Sequence, residues 1–191
     1  MAMTTGPEFG VRLGRALLRR WPTVVGLLAA VGVLLAGADR MTVGLIVAVA
    51  TTCYLAAAAL RRAWVSWVAI PGSVVAIVLG GSLGQPPMTT LAVVAGVLVV
   101  VGLMARASRQ VLTAQTAALL AYGALVVTGL AIAPTAGLVV VAGTLVAHAA
   151  WDAVHLQRKA VVSASLAEFC IVLDVLVGAA ALLVLLAGGG W

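Results

Sequence analysis

The stretch HAAWDAVH, residues 148–155, sets two imidazoles and a carboxylate into a run that is otherwise apolar. Positions 148, 152 and 155 are i, i+4 and i+7, so on an α-helix they share one face over two turns. The next apolar run carries Glu168, Cys170 and Asp174, and Cys170 and Asp174 are again four apart. An ionisable side chain at bilayer depth costs about 2.5–3.5 kcal/mol on insertion scales. Such groups are therefore expected to partner one another. The two runs are joined by a short connection containing Arg158 and Lys159, which predicts an antiparallel helical hairpin. In that hairpin His148 lies level with Asp174, Asp152 with Cys170, and His155 with Ala167 or Glu168.

The expected cluster is His148, Asp152, His155 and Asp174, with Trp151 and Cys170 alongside. Two chemistries suit it. A buried Asp174 beside His148 can donate and retrieve a proton, with Asp152 and His155 assisting. Alternatively, imidazole and carboxylate donors suit a divalent ion such as zinc, iron or manganese. His148 and His155 stand about 10.5 Å apart along a straight helix. A single ion would then take one histidine with Asp152 and Asp174, and bis-histidine haem is disfavoured. Glu168 ends the sequence SLAE, which reads as a capping box with Ser165. Tyr54, Thr51, Ser66, Ser73, Gln115 and Tyr122 are uncharged polar groups available to line the same space.

Helices long enough to carry these groups across a bilayer follow from composition. Of the 191 residues, 64% are hydrophobic and 8% charged, against about a quarter charged in a soluble domain. Seven apolar segments are expected, at 22–38, 41–60, 64–81, 88–105, 111–132, 136–157 and 166–187. Each reaches the length of about 17–22 residues that a crossing needs, and lipid leaves only helices able to satisfy their backbone there. PGS at 71–73 predicts a kink in the third. The fold class is thus all-α, a polytopic membrane helix bundle over 22–191. It is preceded by a segment, 1–21, in which Phe9, Leu13 and Leu17 oppose Arg12, Arg15 and Arg19 as in an interfacial amphipathic helix. No cleavable signal peptide is expected. Trp21, Trp64, Trp67 and Trp191 sit at predicted span ends, as belt residues do. Cys53 and Cys170 fall inside spans without metal-finger or CxxC spacing, so no disulfide is expected.

The net charge of +6 does not point to nucleic acid, because the basic residues are few and fall in short groups between apolar runs. Those groups report topology instead. Arg12, Arg15, Arg19 and Arg20 precede the first span. Arg61 and Arg62, Arg106 and Arg109, and Arg158 and Lys159 occupy every second connection, and Arg40 alone breaks the alternation. The expectation is a cytoplasmic N-terminus, an external C-terminus and seven crossings. Arginine outnumbers lysine, and Ala, Val, Leu and Gly dominate, a bias typical of high-GC bacteria. The expected location is the bacterial cytoplasmic (inner) membrane.

HAAWDAVH followed by EFCIVLD resembles a signature of small bacterial multi-pass membrane proteins, in which an HxxWDxxH helix precedes a CxxxD helix. The resemblance covers the last two spans. In size and helix number the chain is also similar to the small membrane-bound terpene cyclases. That likeness implies protonation of an isoprenoid by intramembrane acids, a role that would fall to Asp174 and Asp152. The aromatic content of 5% departs from the ring-lined pockets of cyclases. The histidine spacing departs from the HxxxH and HxxHH patterns of membrane hydroxylases and desaturases.

The sequence therefore predicts an integral membrane enzyme acting on a lipid or isoprenoid, with membrane lipids as its surroundings and a divalent metal as candidate cofactor. A proton- or metal-ion-coupled transporter and a structural membrane subunit are the alternatives.

Overall fold

Each apolar run folds into one helix in the computed structural model, which describes residues 20–189. In chain order they are α1 (Trp21–Ala36), α2 (Arg40–Leu60), α3 (Val65–Ser82), α4 (Pro87–Met104), α5 (Arg109–Ala131), α6 (Pro134–Arg158) and α7 (Ala164–Leu186). Prolines open α1, α4 and α6, where a missing N–H costs nothing. Asp39 caps α2 by accepting from the Thr42 N–H, and Ser163 caps α7 by accepting from the Leu166 N–H. Helix α3 continues unbroken through Pro71. Among the described residues, six helices are long and apolar enough to cross a membrane. The seventh, α1, has 16 residues. That makes it about 24 Å long, short of the roughly 30 Å hydrocarbon core. The amphipathic reading of 1–21 falls almost wholly on residues outside those described, as does Trp191.

Helix α2 is central. It packs against α3, α4, α5 and α6 and touches α7, while α1 leans on α7 and α6 pairs extensively with α7. Small residues set the closest approaches. A Cβ built on Gly178 of α7 would stand 2.7 Å from Val146 Cγ2 and 3.0 Å from the Ala142 carbonyl oxygen of α6. Gly26 meets the Phe169 carbonyl oxygen of α7 in the same way, at 2.8 Å.

The helices alternate in direction. The starts of α1, α3 and α7 meet at one end, where the Trp67 indole N–H donates to Ser165 Oγ at 3.0 Å and Trp67 stacks between Trp21 and Phe169. At the other end the Arg40 guanidinium donates to the Ile132 carbonyl at 2.8 Å. This satisfies an orphan carbonyl past the end of α5 and places positive charge where a helix dipole is negative. Arg40, the one exception to the charge alternation, is thus engaged in packing. Trp21 and Trp64 are 44% and 59% exposed, as expected of belt residues. Trp67 corrects that expectation, because its ring is held between aromatic neighbours and its N–H is spent on α7.

The helices that finish at the basic end stop in an unusual way. Arg61 closes α2 at φ 56°, Arg106 follows α4 at φ 52° and Lys159 closes α6 at φ 48°. Glycine ordinarily takes this left-handed position, and another residue there costs about 1–2 kcal/mol. A cation recovers about 0.3–1 kcal/mol from the helix dipole, which does not offset the strain. All three positions lie at the end where the basic connections gather.

Candidate active site

The inward face of α6 carries His148 and Asp152 one turn apart, and Asp174 meets them from α7. All three are 0% exposed. The hairpin sets their depth, and the Gly178 contact, one turn beyond Asp174, sets how near the helices come. His148 Nδ1 lies 2.8 Å from Asp174 Oδ2 and 3.2 Å from Asp152 Oδ2. One N–H cannot point at both, and the shorter separation assigns its proton to Asp174. Asp152 is held from the other side by α2, whose Tyr54 hydroxyl donates to Oδ1 at 2.5 Å. The Tyr54 and Tyr122 rings stand edge-on to the His148 imidazole, with centroids at 5.7 and 5.2 Å. His148 Nε2, Asp152 Oδ2 and Asp174 Oδ1 are buried without a hydrogen-bond partner. Orphan polar atoms of this kind cost about 1–3 kcal/mol each when buried dry.

His155 stands apart from this centre. Its Nδ1 lies 2.9 Å from the Trp151 carbonyl, which can only accept, so Nδ1 donates there. With the ring neutral, Nε2 accepts the Gln115 amide N–H at 3.2 Å. The cluster of four expected from spacing is thus a group of three plus a separate His155–Gln115 pair nearer the basic end. Trp151, the residue before Asp152, packs on the His155 ring with centroids 4.8 Å apart.

Glu168 does not close a capping box with Ser165. Ser163 caps α7 instead, and Glu168 accepts from the Thr23 hydroxyl at 2.5 Å and faces Arg20 at 3.4 Å. The reason is the arrival of α1 beside α7, which offers Glu168 better donors than its own helix start. Of the other polar groups, Tyr54 and Tyr122 stand at the centre, and Gln115 bonds His155. Thr51 turns its hydroxyl back to the Val47 and Ala48 carbonyls, and Ser66 turns to Ala63.

Beside the centre lies a cavity of about 420 Å³ between α2, α3 and α7. Leu45, Ile46, Val49, Ile70, Val74 and Leu173 form much of its wall, and Cys53, Cys170 and Asp174 lie along it. From Thr42 to Cys53 it follows α2 for about 16 Å. Val74 and Val78 on its α3 side are 53% and 66% exposed. A second cavity of about 530 Å³, on the opposite flank of α2 against α4 and α5, has no ionisable residue in its wall among the described residues. Compared with known proteins, the chain matches no family model, no curated protein and no solved structure.

The Tyr54 contact carries a direct prediction. Tyr54→Phe removes the one hydroxyl that donates to Asp152 among the described residues, and hydrogen bonds to charged groups contribute about 1.5–3 kcal/mol. Thermal unfolding of the purified protein in detergent should show a loss of that size. Tyr122→Phe should lose less than about 1 kcal/mol, because the Tyr122 hydroxyl bonds only the Ala147 carbonyl, at 3.3 Å.

Proposed function

We propose that this protein is an integral membrane enzyme acting on a lipophilic substrate held in the cavity between α2, α3 and α7. One observation carries the reading. A fully buried His–Asp–Asp centre adjoins an apolar cavity of ligand size, and Asp174 belongs to both. Asp174 Oδ2 is occupied by His148, while Oδ1 has no partner and is the oxygen left to a substrate. His148 orients the carboxyl and exchanges its proton, and Asp152, held by Tyr54, faces the same Nδ1. A cation held by the same three side chains would instead polarise a substrate oxygen. The exposed valines of α3 favour access from the lipid, along the length of an acyl or isoprenoid chain. Among the described residues, Phe169 is the only aromatic one in the cavity wall. This favours proton transfer or hydrolytic chemistry on a lipid or isoprenoid over the carbocation cyclisation that the terpene-cyclase resemblance implies.

The same proposal places the chain in a bacterial cytoplasmic membrane with seven crossings, the basic end in the cytoplasm and the C-terminus outside. The ring of basic residues at one end supports this orientation. A proton-coupled transporter is the second reading, favoured by Tyr54, whose ring packs on His155 and whose hydroxyl bonds Asp152 beside His148 and Asp174. The cavity wall beyond Asp174 is almost wholly apolar, which favours the enzyme.

Organic extraction of the purified protein followed by mass spectrometry tests the proposal. A lipid or isoprenoid should co-purify at near-stoichiometric level and fall several-fold in Val74→Trp, which fills the cavity beside α3. Asp174→Asn should retain the molecule and lose turnover of it. Equal recovery from the wild-type and Val74→Trp proteins would remove the cavity from the argument.

A further inference from the structure

We infer that His148, Asp152 and Asp174 bind one divalent transition-metal ion of the zinc, iron or manganese class. This deepens the reading above by naming a cofactor for the same site, and it rests on that reading only for the use to which the ion is put.

The first argument is geometric. The three side chains offer donor atoms that all lie within 4.8 Å of one another. Two of the separations, from His148 Nδ1 to the Oδ2 atoms of Asp174 and Asp152, are 2.8 and 3.2 Å. Donors on a shared ion at about 2.0–2.2 Å stand roughly 3.0–3.5 Å from each other, so little movement is needed. The donor set, one imidazole and two carboxylates, suits these ions.

The second argument is charge. Two carboxylates share one imidazole at a depth where every described Arg and Lys is far off, at a helix end or in a connection. A proton on His148 balances one carboxylate. A divalent ion balances both with the imidazole neutral, which removes the cost of a net buried charge. The third argument is the unpartnered, fully buried Asp152 Oδ2, which faces His148 Nδ1 without receiving its hydrogen bond. Tyr54 holds the other oxygen of that carboxylate, as groups behind a metal ligand commonly do. Three protein donors beside a cavity also leave a coordination position for a substrate, as catalytic sites require. The sulfurs of Cys53 and Cys170 are not part of the donor group.

The full chain, purified in detergent and stripped with a chelator, is to be dialysed separately against zinc chloride and manganese chloride, and metal per chain measured by mass spectrometry. About one ion per chain is expected for at least one of the two metals. Asp152→Asn and Asp174→Asn, which keep side-chain shape, should each weaken binding at least tenfold, and Tyr54→Phe about tenfold. His155→Ala and Cys170→Ser should bind as the wild type does. As a measurement independent of those variants, the bound metal should raise the unfolding temperature of the wild type progressively with its concentration. No retained metal and no thermal shift with either salt would overturn the inference, as would undiminished binding by the Asp152→Asn, Asp174→Asn double variant. The enzyme reading fails separately. Metal without a co-purifying lipophile undercuts the substrate proposal alone, and a lipophile without metal undercuts the ion alone.

Discussion

His148→Ala protein, purified in a mild detergent, is expected to unfold with about 3–5 kcal/mol less stability than the wild type. For a chain of this size that corresponds to roughly 6–20 °C in unfolding temperature. The alanine leaves Asp152 and Asp174 facing each other at 0% exposure, with only the Tyr54 hydroxyl still donating to the pair. The cost is that of an uncompensated buried charge, which exceeds the net worth of the ion pair itself. The control is therefore removal of all three groups. A His148→Leu, Asp152→Leu, Asp174→Leu variant should recover most of the loss or exceed wild-type stability, because buried ionic groups replaced by apolar ones of similar volume are often neutral to stabilising by about 1–4 kcal/mol. A triple variant less stable than His148→Ala would show that the centre is a structural tie and not a site maintained at the expense of stability.

Gly178→Val should damage the site without touching any of its polar atoms. The added Cβ would meet Val146 Cγ2 at 2.7 Å and the Ala142 carbonyl oxygen at 3.0 Å. A backbone oxygen cannot rotate away, so α6 and α7 must separate. Overpacking of this kind costs about 1–3 kcal/mol. The separation falls one turn from Asp174 and opposite the helix that carries His148, where a displacement of about 1 Å can lower a rate about 100-fold. Any activity or ligand retention found for the wild type should fall much further than stability does. Gly143→Val lies on the same stretch of α6 with nothing within 4 Å of its Cβ, and should leave both near wild type. Equal damage from the two substitutions would remove the α6–α7 contact as the cause.

Much of the helix framework was legible before folding, because an apolar run of about 20 residues satisfies its backbone in lipid as a helix, whereas a barrel strand needs only about 9–11. The breaks have local causes: Pro22, Pro87 and Pro134 open helices, and Asp39 caps one. The register of His148 against Asp174 was legible too, since a short connection leaves a hairpin little freedom in depth. Local reasoning misled where a third element intervened. Glu168 looked like half of a capping box until α1 brought Thr23 to it. Trp67 looked like an interfacial anchor until Trp21 and Phe169 closed around it.

By itself, then, the sequence determined seven apolar helices, their alternating charged ends and a pair of helices whose ionisable residues stand at one depth. These follow from the 1.5 Å rise, the 3.6-residue turn and the cost of unsatisfied polar groups in lipid, all of which act within a helix or between chain neighbours. Only the tertiary structure decided that Tyr54 from α2 would hold Asp152, that His155 would turn to Gln115 and leave a centre of three, and that a cavity between α2, α3 and α7 would have Asp174 in its wall. Those outcomes depend on how helices distant in the chain rotate and pack, and that rotation is set by side-chain volumes across every interface at once.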